Sequence, residues 1–175
     1  MQALYDLVKN TALLIMDVDG VLTDGRIFID AHGEELKAFN ALDGQGLRML
    51  QSTGVKLAMI TGRNAACTEH RANDLGVDYY YAGATDKCAA FHALLAKSGM
   101  TAQVCAYMGD DVLDLPIMRR VTWAISVPNA PRIVRRHAHY VTQASGGQGA
   151  VREVSELIMQ VQNTLDAVID RYLHA

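Results

Sequence analysis

The sequence predicts an α/β fold, an open and doubly wound sheet that is mostly parallel. Two observations carry this. Short apolar runs at 12–17, 55–60, 78–82, 104–108, 122–127 and 140–142 alternate with helical patterns that have legible ends. The runs at 55–60, 104–108 and 122–127 are apolar almost throughout, as expected when both faces of a strand are covered. Alternating strand and helix in 175 residues, 50% of them hydrophobic, gives one domain over residues 1–175 with a parallel sheet.

The first run, 12–17, leads into a turn at Gly20. Segments 26–30 and 35–40, joined through Ala31-His32-Gly33-Glu34, read as a β-hairpin inserted at about 26–40. Asp43 is expected to cap a helix that runs to Thr53 and stops at Gly54. Asn64 is expected to cap the next, ended by Gly76, and Thr85 or Asp86 opens a third that Gly99 closes. From Ala150 to about residue 173 the pattern predicts one amphipathic helix. Its stripe is Val151, Val154, Leu157, Ile158, Val161, Leu165, Val168 and Tyr172. Its first half packs on the core, and its distal half either does the same or lies on a partner.

The composition excludes several classes. Sixteen Lys and Arg against 19 Asp and Glu leave a net charge of −3, which argues against nucleic-acid binding. The cluster Arg119, Arg120, Arg132, Arg135 and Arg136 reads as a solvated face. No apolar stretch is long enough to span a membrane, and residues 1–10 lack a basic region leading into an apolar one. Cys67, Cys88 and Cys105 are odd in number and far apart, which predicts reduced thiols in a cytoplasmic protein. His137 and His139 have no partner at zinc-ligand spacing.

In a doubly wound sheet, sites form beyond the carboxyl ends of the strands. There this sequence places Asp17 and Asp19, then Thr61, then Lys87 at a helix start, and then Asp110, Asp111 and Asp114. Each alone is ordinary: an Asp-x-Asp at a strand end is commonly a cap, and a lone lysine usually lies on the surface. Together they bring carboxylates to one edge, where mutual repulsion favours the neutral forms unless a cation compensates. Oxygen ligands without His or Cys select a hard ion, Mg²⁺.

Asp17-Val18-Asp19-Gly20-Val21, Thr61, Lys87 and Gly109-Asp110-Asp111 with Asp114 resemble the motifs of the haloacid dehalogenase superfamily of phosphotransferases. The match extends through Leu22-Thr23-Asp24-Gly25, Asp43-Gly44, Gly46, Thr61-Gly62-Arg63, Leu115-Pro116 and Gly146-Gly147-Gln148-Gly149-Ala150-Val151-Arg152-Glu153. Over about 13–160 it is similar to a homotetrameric branch without a cap domain that hydrolyses an eight-carbon keto-sugar acid phosphate in lipopolysaccharide precursor synthesis.

The resemblance implies Asp17 as nucleophile and Asp19 as general acid and base, roles that suit an ionised carboxylate and a second acid two residues on. It implies Mg²⁺ held by the Asp17 carboxylate, the Asp19 carbonyl and Asp110, with Asp111 and Asp114 orienting this set. Thr61 and Lys87 would contact the phosphoryl oxygens. Asn40, Ala41, Leu42, Asp43, Gly44, Arg48, Arg63 and Arg71, with Asp19 and Lys87, are the expected substrate-binding set. A keto-sugar acid calls for guanidinium forks and amide donors. Ala41-Leu42-Asp43-Gly44 departs from the branch's usual Val-Arg-Asp-Gly, and Gln148 stands where lysine is common. The departure at Leu42 keeps open a nine-carbon keto-acid phosphate, and a non-catalytic tetramerisation module is the reading from another class. Gly146 to Gly149 is either a flexible connector or a backbone that approaches a ligand or partner closely. The hairpin, too small to stand alone, is expected to join neighbouring subunits, with Arg152 near a neighbour's site.

Overall fold

Leu13, Leu14, Ile15 and Met16 have no exposed surface on either side, and they form β1 (Leu13–Met16) at the centre of the sheet. The computed structural model describes the backbone of residues 2–174 and the side chains of residues 5–174. On one side β1 pairs with β4 (Lys56–Ile60), which pairs with β5 (Tyr79–Tyr81). On the other it pairs with β6 (Cys105–Met108), followed by β7 (Trp123–Ser126) and β8 (Tyr140–Val141). The order β5-β4-β1-β6-β7-β8 is parallel throughout, as the sequence predicts. A separate two-stranded antiparallel ribbon, β2 (Phe28–Ile29) with β3 (Glu35–Leu36), is the inserted hairpin.

The chain winds outward from β1 to β5, then crosses back to β6 and winds the other way. Right-handed crossovers therefore divide the helices between the two faces. One face carries α2 (Ala41–Gln51), α3 (Ala66–Asp74) and α7 (Ala150–Val161), with α2 packed on α7. The other carries α4 (Lys87–Ser98) and α5 (Leu115–Met118), which pack together, and α6 (Arg132–Arg135). Reversal at β1 opens a crevice beyond its carboxyl end, where ligands bind in such sheets.

The structure corrects the sequence reading at five points. The residue that caps α2 is Asn40, not Asp43: Asn40 Oδ1 accepts from the amides of Leu42 at 2.7 Å and Asp43 at 3.4 Å. Asp43 is turned inward and caps a different helix. Its carboxylate accepts from Arg152 N at 2.8 Å and Gly149 N at 3.3 Å at the start of α7, and burial raises its pKa. The cap of α3 is Ala65 rather than Asn64, with no side-chain bond. The hairpin strands are two residues each, shorter than 26–30 and 35–40.

The C-terminal segment is two helices, α7 and α8 (Leu165–Leu173). Asn163 takes a left-handed φ of 57°, and Gln162 Nε2 donates to Thr11 O at 2.8 Å. Asparagine tolerates that conformation, and Val161 and Leu165 keep the spacing of four across the break, so the apolar stripe continued while the backbone did not. Finally, α1 (Gln2–Val8), which carries no cap signal, packs on α7. Among the described residues, no helix is long and apolar enough to cross a membrane.

Candidate active site

Asp17 directly follows β1, and the chain must turn at once to leave the sheet. Gly20 makes that turn with φ 87°, and a side chain there would collide with the Asp110 carboxylate. Thr23 Oγ1 accepts from Gly20 N and Gly25 N, both at 3.2 Å, and locks the loop. Gly147 N then donates to Val21 O at 3.0 Å, and Asn40 Nδ2 donates to Gly147 O at 3.3 Å. The glycine-rich stretch is thus seated on this chain's own β1 loop. Beyond it, Val151, Val154, Ile158 and Met159 are core, so truncation from Gly146 removes core as well as loop.

Asp17 lies 7% exposed at the floor of the crevice, with Oδ1 accepting from Val18 N at 2.7 Å. Lys87, the first residue of α4, reaches Asp17 Oδ2 at 2.7 Å and Asp114 Oδ1 at 2.6 Å. Asp114 is wholly buried and fully engaged: Tyr107 Oη donates to Oδ1 at 2.6 Å, and Asp110 N and Asp111 N donate to Oδ2 at 2.9 and 3.1 Å. Asp111 caps the short turn at Val112–Asp114 and lines the crevice. Thr61 is 1% exposed and lines the same crevice with Gly62, Arg63 and Leu113, around a cavity of about 340 Å³.

The electrostatics favour a cation. Burial raises Asp17 to about 6, with the Asp114 charge adding to it and Lys87 opposing it. Burial likewise raises Asp110 to about 7, helped by Asp17 and Asp114. For Lys87, burial works against its charge but Asp17 and Asp114 outweigh it, and the net shift is upward. One lysine does not balance the carboxylates.

Carboxylate oxygens of Asp17, Asp110 and Asp114 lie within 4.8 Å of one another, and Asp110 Oδ1 is buried without a hydrogen-bond partner. An oxygen-only set with an orphaned carboxylate oxygen fits a hard divalent ion. Because Asp114 already accepts four hydrogen bonds, Asp17 and Asp110 are the carboxylates with capacity to spare.

Asp17, Asp19, Thr61, Arg63, Lys87, Asp110 and Asp111 meet in this crevice. Asn40, Ala41, Leu42, Asp43, Gly44, Arg48 and Arg71 do not line it. Arg48 and Arg71 instead flank a cleft between α2 and α3, where Arg48 Nη2 binds Asp74 Oδ1 at 3.1 Å and Arg71 Nη1 binds Asp74 Oδ2 at 2.8 Å. Arg152 pairs with Glu156 at 2.6 Å.

The sequence reading missed Lys37, Glu35 and Tyr107. Lys37 Nζ stands 2.6 and 2.7 Å from the two carboxylate oxygens of Asp19. Arg63 Nη1 binds Glu35 Oε1 at 2.8 Å. The available signal was alternation: in Glu35-Leu36-Lys37 the first and third residues share a face.

A buried aspartate directly after the central strand, with a threonine, a lysine and an acidic loop beyond the neighbouring strands, fits a hydrolase of the phosphoryl-transfer class. Residues 80–154 match the family model of haloacid dehalogenase-like hydrolases. The chain is 47% identical over 157 residues to the 3-deoxy-D-manno-octulosonate 8-phosphate phosphatase KdsC of Yersinia pestis, covering 90% of this chain and 84% of that protein. The crystal structure of the Moraxella catarrhalis phosphatase of that name, in complex with magnesium ion, phosphate ion and KDO, superposes with a TM-score of 0.95 at 44% identity. That match covers 98% of this chain and 99% of the other. The cobalt-bound Haemophilus influenzae phosphatase superposes with a TM-score of 0.89 at 37% identity, over 92% and 94% of the two chains. The chain belongs to the haloacid dehalogenase-like hydrolases, in the family of 3-deoxy-D-manno-octulosonate 8-phosphate phosphatases.

Proposed function

We propose that this chain is a Mg²⁺-dependent phosphatase that releases phosphate from 3-deoxy-D-manno-octulosonate 8-phosphate, within lipopolysaccharide precursor synthesis. One observation carries this reading: Asp17, Lys87 and Asp110 converge at the carboxyl end of β1 around an oxygen-only set with an unpartnered Asp110 oxygen. The relatives supply the substrate.

An Asp17 carboxylate oxygen attacks phosphorus as the bond from phosphorus to the sugar oxygen breaks, and Asp19, as the acid, gives that oxygen a proton. Asp19, now a carboxylate, takes a proton from the water that attacks the aspartyl-phosphate. The Asp17–phosphorus bond breaks, and inorganic phosphate leaves with Asp17 and Asp19 restored. Thr61 and Lys87 hold the phosphoryl oxygens while charge shifts between them. The carboxylates of Asp17 and Asp110 and the Asp19 carbonyl would hold Mg²⁺, which when bound would supply charge neutralisation for the phosphoryl group. Asp114 holds Lys87 and the Asp110 backbone in register, and Asp111 supports the same loop.

The 175 residues act as one catalytic domain in a homotetramer in the cytoplasm. The hairpin supports the assembly, since Phe28, Ile29 and Leu36 are 49, 64 and 59% exposed. Asn40, Ala41, Leu42, Arg48, Arg71 and Arg152 then serve a neighbour's crevice rather than their own, with Arg63 reading substrate in this one, while Asp43 and Gly44 are buried and act only through the packing of α2 on α7.

The test is phosphate release from eight- and nine-carbon keto-acid phosphates and hexose phosphates, with Mg²⁺ and in excess chelator. The eight-carbon compound is expected to be preferred and the chelator to abolish turnover, with calcium restoring little because it accepts higher coordination numbers. Preference for the nine-carbon compound would shift the substrate. No Mg²⁺-dependent release from any of them would leave a non-catalytic module.

A further inference from the structure

The Asp19 side chain is held differently from Asp17. Asp17 receives a backbone amide, whereas among the described residues the hydrogen bonds to the Asp19 carboxylate both come from Lys37, at 2.6 and 2.7 Å. The Lys37 side chain is 1% exposed, although it belongs to the hairpin. Its Nζ is also 3.7 Å from Glu35 Oε2, Glu35 Oε1 binds Arg63 Nη1 at 2.8 Å, and Arg63 Nε returns to Asp19 Oδ2 at 3.9 Å. Lysine and arginine thus alternate with the two carboxylates in a closed ring. It joins the loop after β1, the hairpin and the loop after β4.

We propose that Lys37 is a positioning residue: by gripping both oxygens of Asp19, it sets the rotamer from which Asp19 serves the leaving group, with Glu35 and Arg63 steadying the lysine. The inference rests on the acid–base role proposed above for Asp19. A short carboxylate side chain has few rotamers, and the wrong one moves its oxygens by more than an ångström. Misplacement on that scale costs about 10²-fold in rate. The hairpin is anchored at one end by this ring while its apolar side faces outward, so the seating of the hairpin and the aim of Asp19 are one variable.

The test compares Lys37→Met, which keeps the packed stem without the cation, with Lys37→Arg, Asp19→Asn and the double variant. The eight-carbon keto-acid phosphate and 4-nitrophenyl phosphate are the substrates, the latter with a leaving group that needs little protonation. Lys37→Met is expected to lower kcat on the sugar phosphate by about 10- to 100-fold with KM little changed. The loss on the aryl phosphate should be much smaller, Lys37→Arg should recover part of it, and Lys37→Met should add nothing to Asp19→Asn. Equal losses on both substrates, or a full additional loss in the double variant, would overturn the proposal. Should Lys37→Met fail to fold, Glu35→Gln is the second variant. A smaller loss with the same preference for the sugar phosphate supports the ring, and an unselective or absent loss overturns it. If Asp19→Asn itself impairs both substrates equally, the acid role falls and this inference with it. If Asp19→Asn is selective and Lys37→Met is not, only the inference falls.

Discussion

Among the described residues, two lysines with buried side chains grip carboxylates, and they are built on different foundations. Lys87 starts an α-helix packed on the sheet; its partners are Asp17, directly after β1, and Asp114, in the short turn beyond β6, 7% and 0% exposed. Lys37 directly follows a ribbon of two-residue strands, and its partner Asp19 keeps 22% of its side chain in solvent. The sheet holds the first set whatever else the chain does. The second set depends on a hairpin too small to be stable without support. The side chains proposed for phosphorus chemistry thus sit beside the buried sheet, while the one proposed for the leaving oxygen is gripped from a small ribbon.

The largest expected effect is at the rigid set. Asp17→Asn should cut phosphate release by about 10⁴-fold or more, because an amide is a poor nucleophile and a weaker Mg²⁺ ligand. Circular dichroism and melting should show the fold intact, and substantial turnover by that variant would refute the aspartyl-phosphate route. Next, Lys87→Met should destabilise the protein by about 3–5 kcal/mol, the cost of leaving buried charge without its partner. Lys37→Met should cost about 1 kcal/mol or less, since Asp19 can turn to water. Chemical denaturation of the two variants, without metal, measures the difference, and equal losses would erase the distinction between the two sites.

A third experiment loosens the ribbon from outside. Ile29→Asp places a charge on its exposed apolar side and should shift the proposed homotetramer toward smaller species by light scattering. The melting temperature of the subunit should stay close to that of the parent, because residue 29 is 64% exposed within the chain. An unaltered tetramer would remove the hairpin from the interface. The smallest effect is chemical. Cys105 is buried and its thiol is pushed up to about 11 by that burial, so it should resist alkylation at neutral pH while the half-buried Cys67 and Cys88 react. Mass mapping after iodoacetamide treatment reads this directly, and early modification of Cys105 would contradict its place in the core.

The parallel sheet and the floor of the site were legible in the amino-acid order. Apolar runs of strand length with Asp17, Thr61 and Asp110 just past them leave few alternatives, because a strand buried on both faces must be apolar and its polar residues begin where it ends. Caps were less legible. Asp43 has the right type and position for the start of α2, but Asn40 lies three residues earlier, and the inward carboxylate caps α7 instead. No local rule chooses between partners more than a hundred residues apart. The break at Asn163 was hidden for a related reason, since the apolar spacing survives it.

By itself, then, the sequence determined the strands of the parallel sheet, the acidic edge and its need for a hard cation. These follow from burial along one strand and from like charges placed at neighbouring strand ends. Only the tertiary structure decided that Lys37 belongs with Asp19, that Asp114 is consumed by Lys87, Tyr107 and two amides, and that Arg48 and Arg71 lie outside the crevice. Hydrogen bonds act over about 3 Å, and which groups come that close depends on how the packed elements are seated.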